Sequence, residues 1–263
     1  MSARVLPFIG SREPWASGAK TTLSFCSLAP NPSPWTLDGT NTWILRAPDS
    51  SEAIVIDPGP ADETHLLSVL AHVEAAEAGI SMIVLTHSHD DHSAGAERLA
   101  ELSGAPIRSG LASGDVLAAG DVHLEVLRTP GHSSDSLCFV MPEDGSLLTG
   151  DTVLGRGTTV VAHPDGRLAD YLSSLVQLRD LVETHGINRI LPGHGPILTA
   201  PGDILSAYLE HRRARLDDVR DAVAGGASSA QEVVEIVYSS TPKELWPAAE
   251  MSVRAQMEYL SDR

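Results

Sequence analysis

Residues 86–95 read THSHDDHSAG and follow directly on ISMIVL, an apolar run rich in branched side chains. Three histidines and two aspartates thus fall within six residues, at the end of what reads as a buried strand. Burying so many polar groups is costly unless each finds a partner. A fold that accepts this cluster must hold the strand end rigidly and bring compensating groups from elsewhere in the chain. His87 and His89, two apart, can project to the same side of an extended strand end. Asp91 and His92 follow where the chain enters a loop or helix. His-x-His-x-Asp-His can therefore present two groups of ligands to two adjacent metal positions. Asp90 is expected to face solvent or support the loop.

Three more candidates lie downstream, each at a strand–loop junction: His132 in RTPGHSSDS, Asp151 in LLTGDTVLG and His194 in ILPGHGP. A glycine precedes each, which lets the backbone turn tightly. Imidazoles and carboxylates are the ligand types that bind zinc or similar dications. His65, His72, His123, His163 and His185 read as solvated or structural. Cys26 and Cys138 cannot form a disulfide framework, and Cys138, inside SLCFV, reads as a packed thiol.

The rest of the chain supplies a scaffold. Strands are predicted over 22–29, 42–47, 53–59 and 80–86, with a helix over 62–78 whose Leu66, Leu67, Leu70 and Val73 share one face. A helix over 95–103 follows, then short strands near 106–108, 122–128, 137–141 and 146–149, and a helix over 168–185. INRILPGHGPIL reads as strand, loop and strand. Two β-rich halves with interspersed helices suggest a layered α/β protein. Residues 203–263 change to three helices, with Pro242 between the last two. The expected division is 1–203 for the catalytic domain and 204–263 for a helical C-terminal domain.

The formal net charge is −17. Non-specific nucleic-acid binding normally rests on a basic surface, so tight binding of DNA or long RNA is not expected. No apolar run reaches the ~18 residues of a membrane span, and the first fifteen residues show no signal-peptide pattern. A cytoplasmic location without membrane attachment is expected. Arg212, Arg213 and Arg215, beside His211, read first as a solvated helix face, with contact to a phosphate or carboxylate as the alternative. GRGTT (155–159) reads either as a plain loop or as part of the substrate mouth, with Arg156 meeting an anionic group.

Five segments in order, VIDPG, THSHDDH, TPGHS, LLTGD and PGHGP, resemble the metallo-β-lactamase superfamily from Thr42 to about Pro196. The resemblance implies an α/β, four-layer αββα sandwich with a dinuclear site at one edge of the paired sheets. It implies two divalent metal ions, with zinc expected, although the same ligands accept manganese or iron. His87, His89 and His132 would bind the first ion; Asp91, His92 and His194 the second; Asp151 would bridge both. Asp91 would also orient the nucleophile or move its proton. Asp57 would brace the ligand loop; its plainer reading is a turn aspartate after a strand. Two such ions ~3.5–4 Å apart lower the pKa of a shared water and clamp the oxygens of the reacting group, so a metal-bound hydroxide attacks an acyl or phosphoryl centre.

LDGTNTWIL (37–45), GDTVLGRGTTVV (150–161) and PGHGPIL followed by the helical tail are similar to a β-lactamase-like subgroup. That subgroup includes a mitochondrial single-strand endoribonuclease and fungal thioesterases that release polyketides from a carrier protein, and its tail is a small winged-helix-like domain. The expected function is a dinuclear-metal-dependent hydrolase of an ester, thioester or phosphodiester. The expected partner is a small or medium acyl or phosphoester substrate, with short single-stranded RNA as a further candidate. The alternatives are an endoribonuclease and, in a different class, a non-catalytic metal-stabilised protein-binding module. The oligomeric state is left open.

Overall fold

The computed structural model describes residues 9–10 and 13–262; most of the N-terminal stretch read for a targeting signal lies outside them. One sheet pairs β1 (Ser24–Leu28), β2 (Asn41–Leu45), β3 (Glu52–Ile56), β4 (Gly79–Val84) and β5 (Ile107–Arg108) in that spatial order. The other pairs β6 (Val116–Ala119), β7 (Val122–Arg128), β8 (Leu137–Met141), β9 (Ser146–Gly150), β10 (Arg189–Pro192) and β11 (Leu198–Thr199).

The pleat explains how these sequences serve two cores at once. Ile54 and Ile56 of β3 pack between the sheets against Phe139 and Met141 of β8. Their neighbours Ala53 and Val55 face outward, under α1 (Glu63–Ala75) and, past the short α2 (Asp90–Ser93), α3 (Ala96–Ser103). On the other side Cys138 and Val140 meet α4 (Leu168–His185) and the first half of α5 (Pro201–Ala224). Strands buried on both faces read as continuous apolar runs rather than alternations. The result is the αββα sandwich that the resemblance implies.

Two elements escape the sequence reading. β6 spells VLAA, with Val116 exposed, and half of it is alanine, a poor strand former. α2 is a single turn inside the ligand motif. The tail adds α6 (Ala230–Val237) and α7 (Trp246–Ser261), which pack on the second half of α5 through Val219, Val233, Val234 and Val253. Ser229 opens α6 with a capping box: its hydroxyl accepts from the Glu232 N–H while the Glu232 carboxylate accepts from the Ser229 N–H. The division drawn at residue 203 falls in the first turn of α5, and this one helix contributes to both cores. Among the described residues no helix is long and apolar enough to cross a membrane.

Strand direction concentrates the polar residues at one edge. β3 and β4 are parallel, as are β9 and β10, so Asp57, Thr86–His87, Asp151 and His194 all follow carboxyl ends of strands. β7 is antiparallel to β8 and β8 to β9, which returns the loop carrying His132 to the same edge. Backbone bonds tie the two sheets there: Leu137 N–H to Thr86 C=O (2.7 Å) and Asn41 N–H to Gly193 C=O (2.8 Å).

Candidate metal centre

Three overlapping triads converge at this edge: His87–His89–His132, His87–His92–Asp151 and Asp91–His92–His194. In each, one ligand atom per residue lies within 4.8 Å of the others. In the first, His89 Nδ1 is 3.0 Å from His87 Nε2 and 3.1 Å from His132 Nε2. In the third, His194 Nε2 is 3.2 Å from His92 Nε2 and 3.2 Å from Asp91 Oδ2. Asp151 lies between them. Its Oδ1 is 3.4 Å from both His92 Nε2 and His194 Nε2, and its Oδ2 is 3.7 Å from His132 Nε2.

The imidazoles are aimed by contacts on their other nitrogen. His132 Nδ1 donates to the Val160 carbonyl (2.7 Å) and His194 Nδ1 to the Gly39 carbonyl (3.0 Å). His92 Nδ1 lies 2.9 Å from Asp57 Oδ2, and His87 Nδ1 lies 3.0 Å from Thr86 Oγ1. All four rings thereby turn Nε2 inward. Such outer contacts are the usual means of fixing tautomer and orientation in metal-ligating histidines. Asp57 also accepts from the Thr86 N–H and hydroxyl, both at 2.7 Å. It does so from a left-handed backbone, φ 51°, which Asp tolerates better than most residues. Asp57 thus follows a strand in a turn and ties Thr86 to His92.

The donor chemistry fits dications. Asp151 Oδ1 is buried with no hydrogen-bond partner, an orphan that a cation would satisfy. Burial opposes its charge, yet His194 and His92 hold its pKa well below the carboxylate range. Burial likewise pushes His194 down, but Asp151 and Asp91 overcome this and raise it to about 9. His92 is raised too, by Asp151 and Asp57 against the cost of burial. His87 and His132, where burial prevails, are lowered. Two carboxylates among five imidazoles call for positive charge.

The three glycines that precede ligands do different work. Gly150 needs its positive φ of 46°, and a Cβ there would meet Thr86 Oγ1 at 2.5 Å. Gly131, φ 144°, faces the Tyr171 backbone. Gly193 has no positive φ; a Cβ would come within 2.8 Å of both Asp151 Oδ1 and His92 Cε1. Its reason is space beside the ligands rather than a tight turn.

His65 is buried, with its Nε2 2.9 Å from Thr42 Oγ1. His72 stacks on Phe25, and His123 meets Glu143 at the surface. Cys138 is buried and its thiol is pushed up to about 11. Asp90 is exposed at the mouth of the site. Asn41 is a supporting residue that the sequence reading left without a role. Its side-chain amide donates to the Pro192 and Gly195 carbonyls (2.9 and 2.8 Å), clamping the loop of His194. Its only signal was its place in LDGTNTWIL.

A cavity of about 750 Å³ opens from His89, Asp91, His132 and Asp151. Trp35 and Leu37 form one wall, the 154–160 loop another, and α5 with the tail a third, through Arg212, Leu245, Ala249 and Met251. Arg156–Thr159 of GRGTT line this cavity. Arg156 within it pairs with Asp38. Of the three α5 arginines singled out in the sequence, the solvated-face reading holds for Arg213 alone; Arg212 is 4% exposed and only 14% of the Arg215 side chain is open.

Residues 35–113 and 111–194 match the metallo-beta-lactamase superfamily, and residues 229–263 match the beta-lactamase associated winged helix domain. A beta-lactamase-like protein 2 homolog from Drosophila melanogaster is 31% identical over 258 residues, covering 88% of this chain and 85% of its own. An atrochrysone carboxyl ACP thioesterase from Aspergillus fumigatus is 30% identical over 245 residues, covering 83% and 74%. Among solved structures, a metallo-beta-lactamase family protein from Thermus thermophilus superposes with a TM-score of 0.73 at 22% identity, covering 91% of this chain and 93% of its own. A beta-lactamase domain protein from Burkholderia ambifaria gives 0.75 at 23%, covering 91% and 86%.

Proposed function

The chain belongs to the metallo-beta-lactamase superfamily of hydrolases, and from that premise we propose that it is a dinuclear metal-dependent hydrolase of an acyl ester or thioester. The observation that carries this reading is Asp151, whose two oxygens reach toward different triads. His87, His89 and His132 would hold one ion and Asp91, His92 and His194 the other, with zinc the expected metal. Two ions held there would supply an activated water and a clamp on the oxygen of the scissile group.

The protein's own residues position the rest. Asp91 lines the cavity with 30% of its side chain open, against 11% for Asp151. In this reading Asp91 would orient the attacking water and accept its proton. Trp35, Leu37, Leu154 and Met251 offer an apolar wall suited to an acyl body. The thioesterase named among the relatives supports the acyl choice. The net charge of −17 weighs against long RNA as the substrate.

A hydrolysis panel on the metal-loaded enzyme tests this: an acyl thioester, a lactone, a phosphodiester and short single-stranded RNA. The thioester should turn over fastest. Faster cleavage of RNA, or sub-micromolar binding of long RNA that falls steeply with salt, would replace the acyl reading with the endoribonuclease one.

A further inference from the structure

The α5 wall of the cavity holds polar atoms that no described residue satisfies. Arg212 is only 4% exposed, and among the described residues no carboxylate pairs with it. Its Nη2 donates to the Thr159 carbonyl and its guanidinium lies 5.0 Å from the centre of the Tyr171 ring. Its Nε has no partner. Two neighbours on the same helix repeat the pattern: His211 Nδ1 and Arg215 Nε are buried and unpaired. Arg156 Nε and Nη2 are likewise without a hydrogen-bond partner among the described residues, but in charge Arg156 and Arg215 differ from Arg212. Arg156 has Asp38 and Arg215 has Asp218, at 3.1 Å from its Nη1. Arg212 alone among these three keeps an uncompensated charge. A buried cation without a counterion is costly, and stacking on an aromatic ring offsets only part of that cost.

We propose that His211, Arg212 and Arg215 form an anion-binding subsite that holds a carboxylate or phosphate group of the substrate while its scissile bond lies at the ligand cluster. The inference rests on the acyl-hydrolase reading for what the substrate does, and on α5 for what it looks like. Geometry links the two ends. Thr159 accepts from Arg212 through its carbonyl, and Val160, the next residue, accepts from the ligand His132. Consecutive Cα atoms are ~3.8 Å apart, so subsite and ligand cluster lie within the length of one small molecule. Both border the same cavity, and its apolar wall runs beside them. The substrate is then an acyl ester or thioester with an apolar body and an anionic group remote from the scissile bond.

Two measurements on the metal-loaded protein test this. In the first, N-acetylcysteamine thioesters of hexanoate and of adipate are compared, together with the hexanoyl thioester of a phosphate-bearing thiol. An anionic substrate should exceed the neutral hexanoyl thioester in kcat/KM by ~10–100-fold, mainly through KM, the effect of charge-assisted hydrogen bonds. That ratio should fall toward one in Arg212→Gln and recover in part in Arg212→Lys. Whether adipate or the phosphate-bearing thiol gains more assigns the anion to the acyl or the leaving side. Equal kcat/KM for all three in the wild type would overturn the subsite. In the second, glutarate and inorganic phosphate are titrated by calorimetry into wild type and Arg212→Gln, with matched metal content. Anion binding at the ligand cluster is common to both proteins, so the difference reports the subsite. Identical binding would overturn the proposal even if thioesters are hydrolysed. A difference in binding with every thioester inert would keep the subsite and sink the acyl reading instead. Should Arg212→Gln fail to fold, Arg215→Gln carries both comparisons under the same criteria.

Discussion

The cavity joins two polar clusters built on opposite terms. At the ligand cluster, His87, His92, His132 and His194 each spend one ring nitrogen on a protein partner and turn the other inward. Orientation there is settled before anything binds. On α5, His211 Nδ1, Arg212 Nε and Arg215 Nε have no hydrogen-bond partner among the described residues. The first cluster consists of histidines that follow strand ends or, for His92, lie in α2, braced by backbone carbonyls, Thr86 and Asp57. The second sits on a helix shared between two packing units, walled on one side by the tail. Rigidity suits groups that must hold a fixed geometry, and unpaired donors suit groups that await a variable ligand. Changing residues in each cluster should therefore have different consequences.

The largest effect is expected at Asp151. It stands between the triads, so Asp151→Ala removes a side chain whose two oxygens reach toward both. Hydrolysis should fall to background, and metal analysis should drop from about two ions per chain, while the circular dichroism spectrum stays native. Metal content that stays at zero in the wild type after reconstitution with zinc, manganese and iron would remove the basis of the metal reading altogether. One ion in the wild type would leave the cluster but end the bridging role.

Asp57→Asn separates orientation from charge. Asn tolerates the left-handed backbone at this position, so the fold should survive. His92 and Thr86 lose a carboxylate acceptor, and loss of such outer-shell partners typically costs ~10–100-fold in metal affinity or activity. A silent variant would mean that the histidines are held by packing alone and that the contrast between the clusters is overstated.

Much of the first cluster was legible in the sequence, and little of the second. Histidines and aspartates at strand ends, each after a glycine or inside THSHDDH, mark themselves by residue type. Their braces do not. Val160 and Gly39 contribute main-chain carbonyls, which every residue possesses, and Asn41 acts through a loop more than 150 residues distant. The fold was readable because strands buried on both faces form long apolar runs, and it failed at β6, where alanines leave too little pattern. Arg212 and Arg215 lie three apart on a helix with a mixed face, which suggests solvent. Arg212 is covered by Tyr171 of α4 and the 154–160 loop, and the Arg215 guanidinium lies 5.1 Å from the Tyr238 ring of the tail, contacts that come from distant parts of the chain. Gly193 was correctly singled out for the wrong reason, since proximity to Asp151 and His92 depends on tertiary contact.

The second cluster predicts a pH signature of its own. His211 is lowered from its ordinary 6.5 to about 3, first by burial and then by Arg212 and Arg215. Below pH 6.5 the unfolded chain takes up a proton at this position and the folded chain does not until about pH 3. The stability that neutral His211 contributes is thus complete above 6.5 and is lost as pH falls toward 3. Asp218, paired with Arg215, moderates the effect. Denaturant midpoints of wild type should decline more steeply over this window than those of His211→Gln, by no more than ~1 kcal/mol per pH unit. Acid release of metal affects both proteins alike and cancels in the difference. Parallel curves would show that His211 is solvated in practice and not part of an unpaired cluster.

The smallest effect belongs to a histidine in neither cluster. His123 lies on β7 with 48% of its side chain open and its Nδ1 2.7 Å from Glu143 Oε1. The short distance alone would suggest a strong ion pair. Exposure decides otherwise: Glu143 is 36% open, and exposed pairs of this kind contribute ~0–1 kcal/mol. His123 lines no part of the cavity and braces no ligand, so it has no route to the chemistry. His123→Ala should keep activity within about twofold and stability within ~0.5 kcal/mol, the range of ordinary surface changes. Side-by-side kinetics with Asp57→Asn check this. A loss at His123 matching that at Asp57 would mean that histidine type, rather than the partner on its second nitrogen, had been mistaken for the cause.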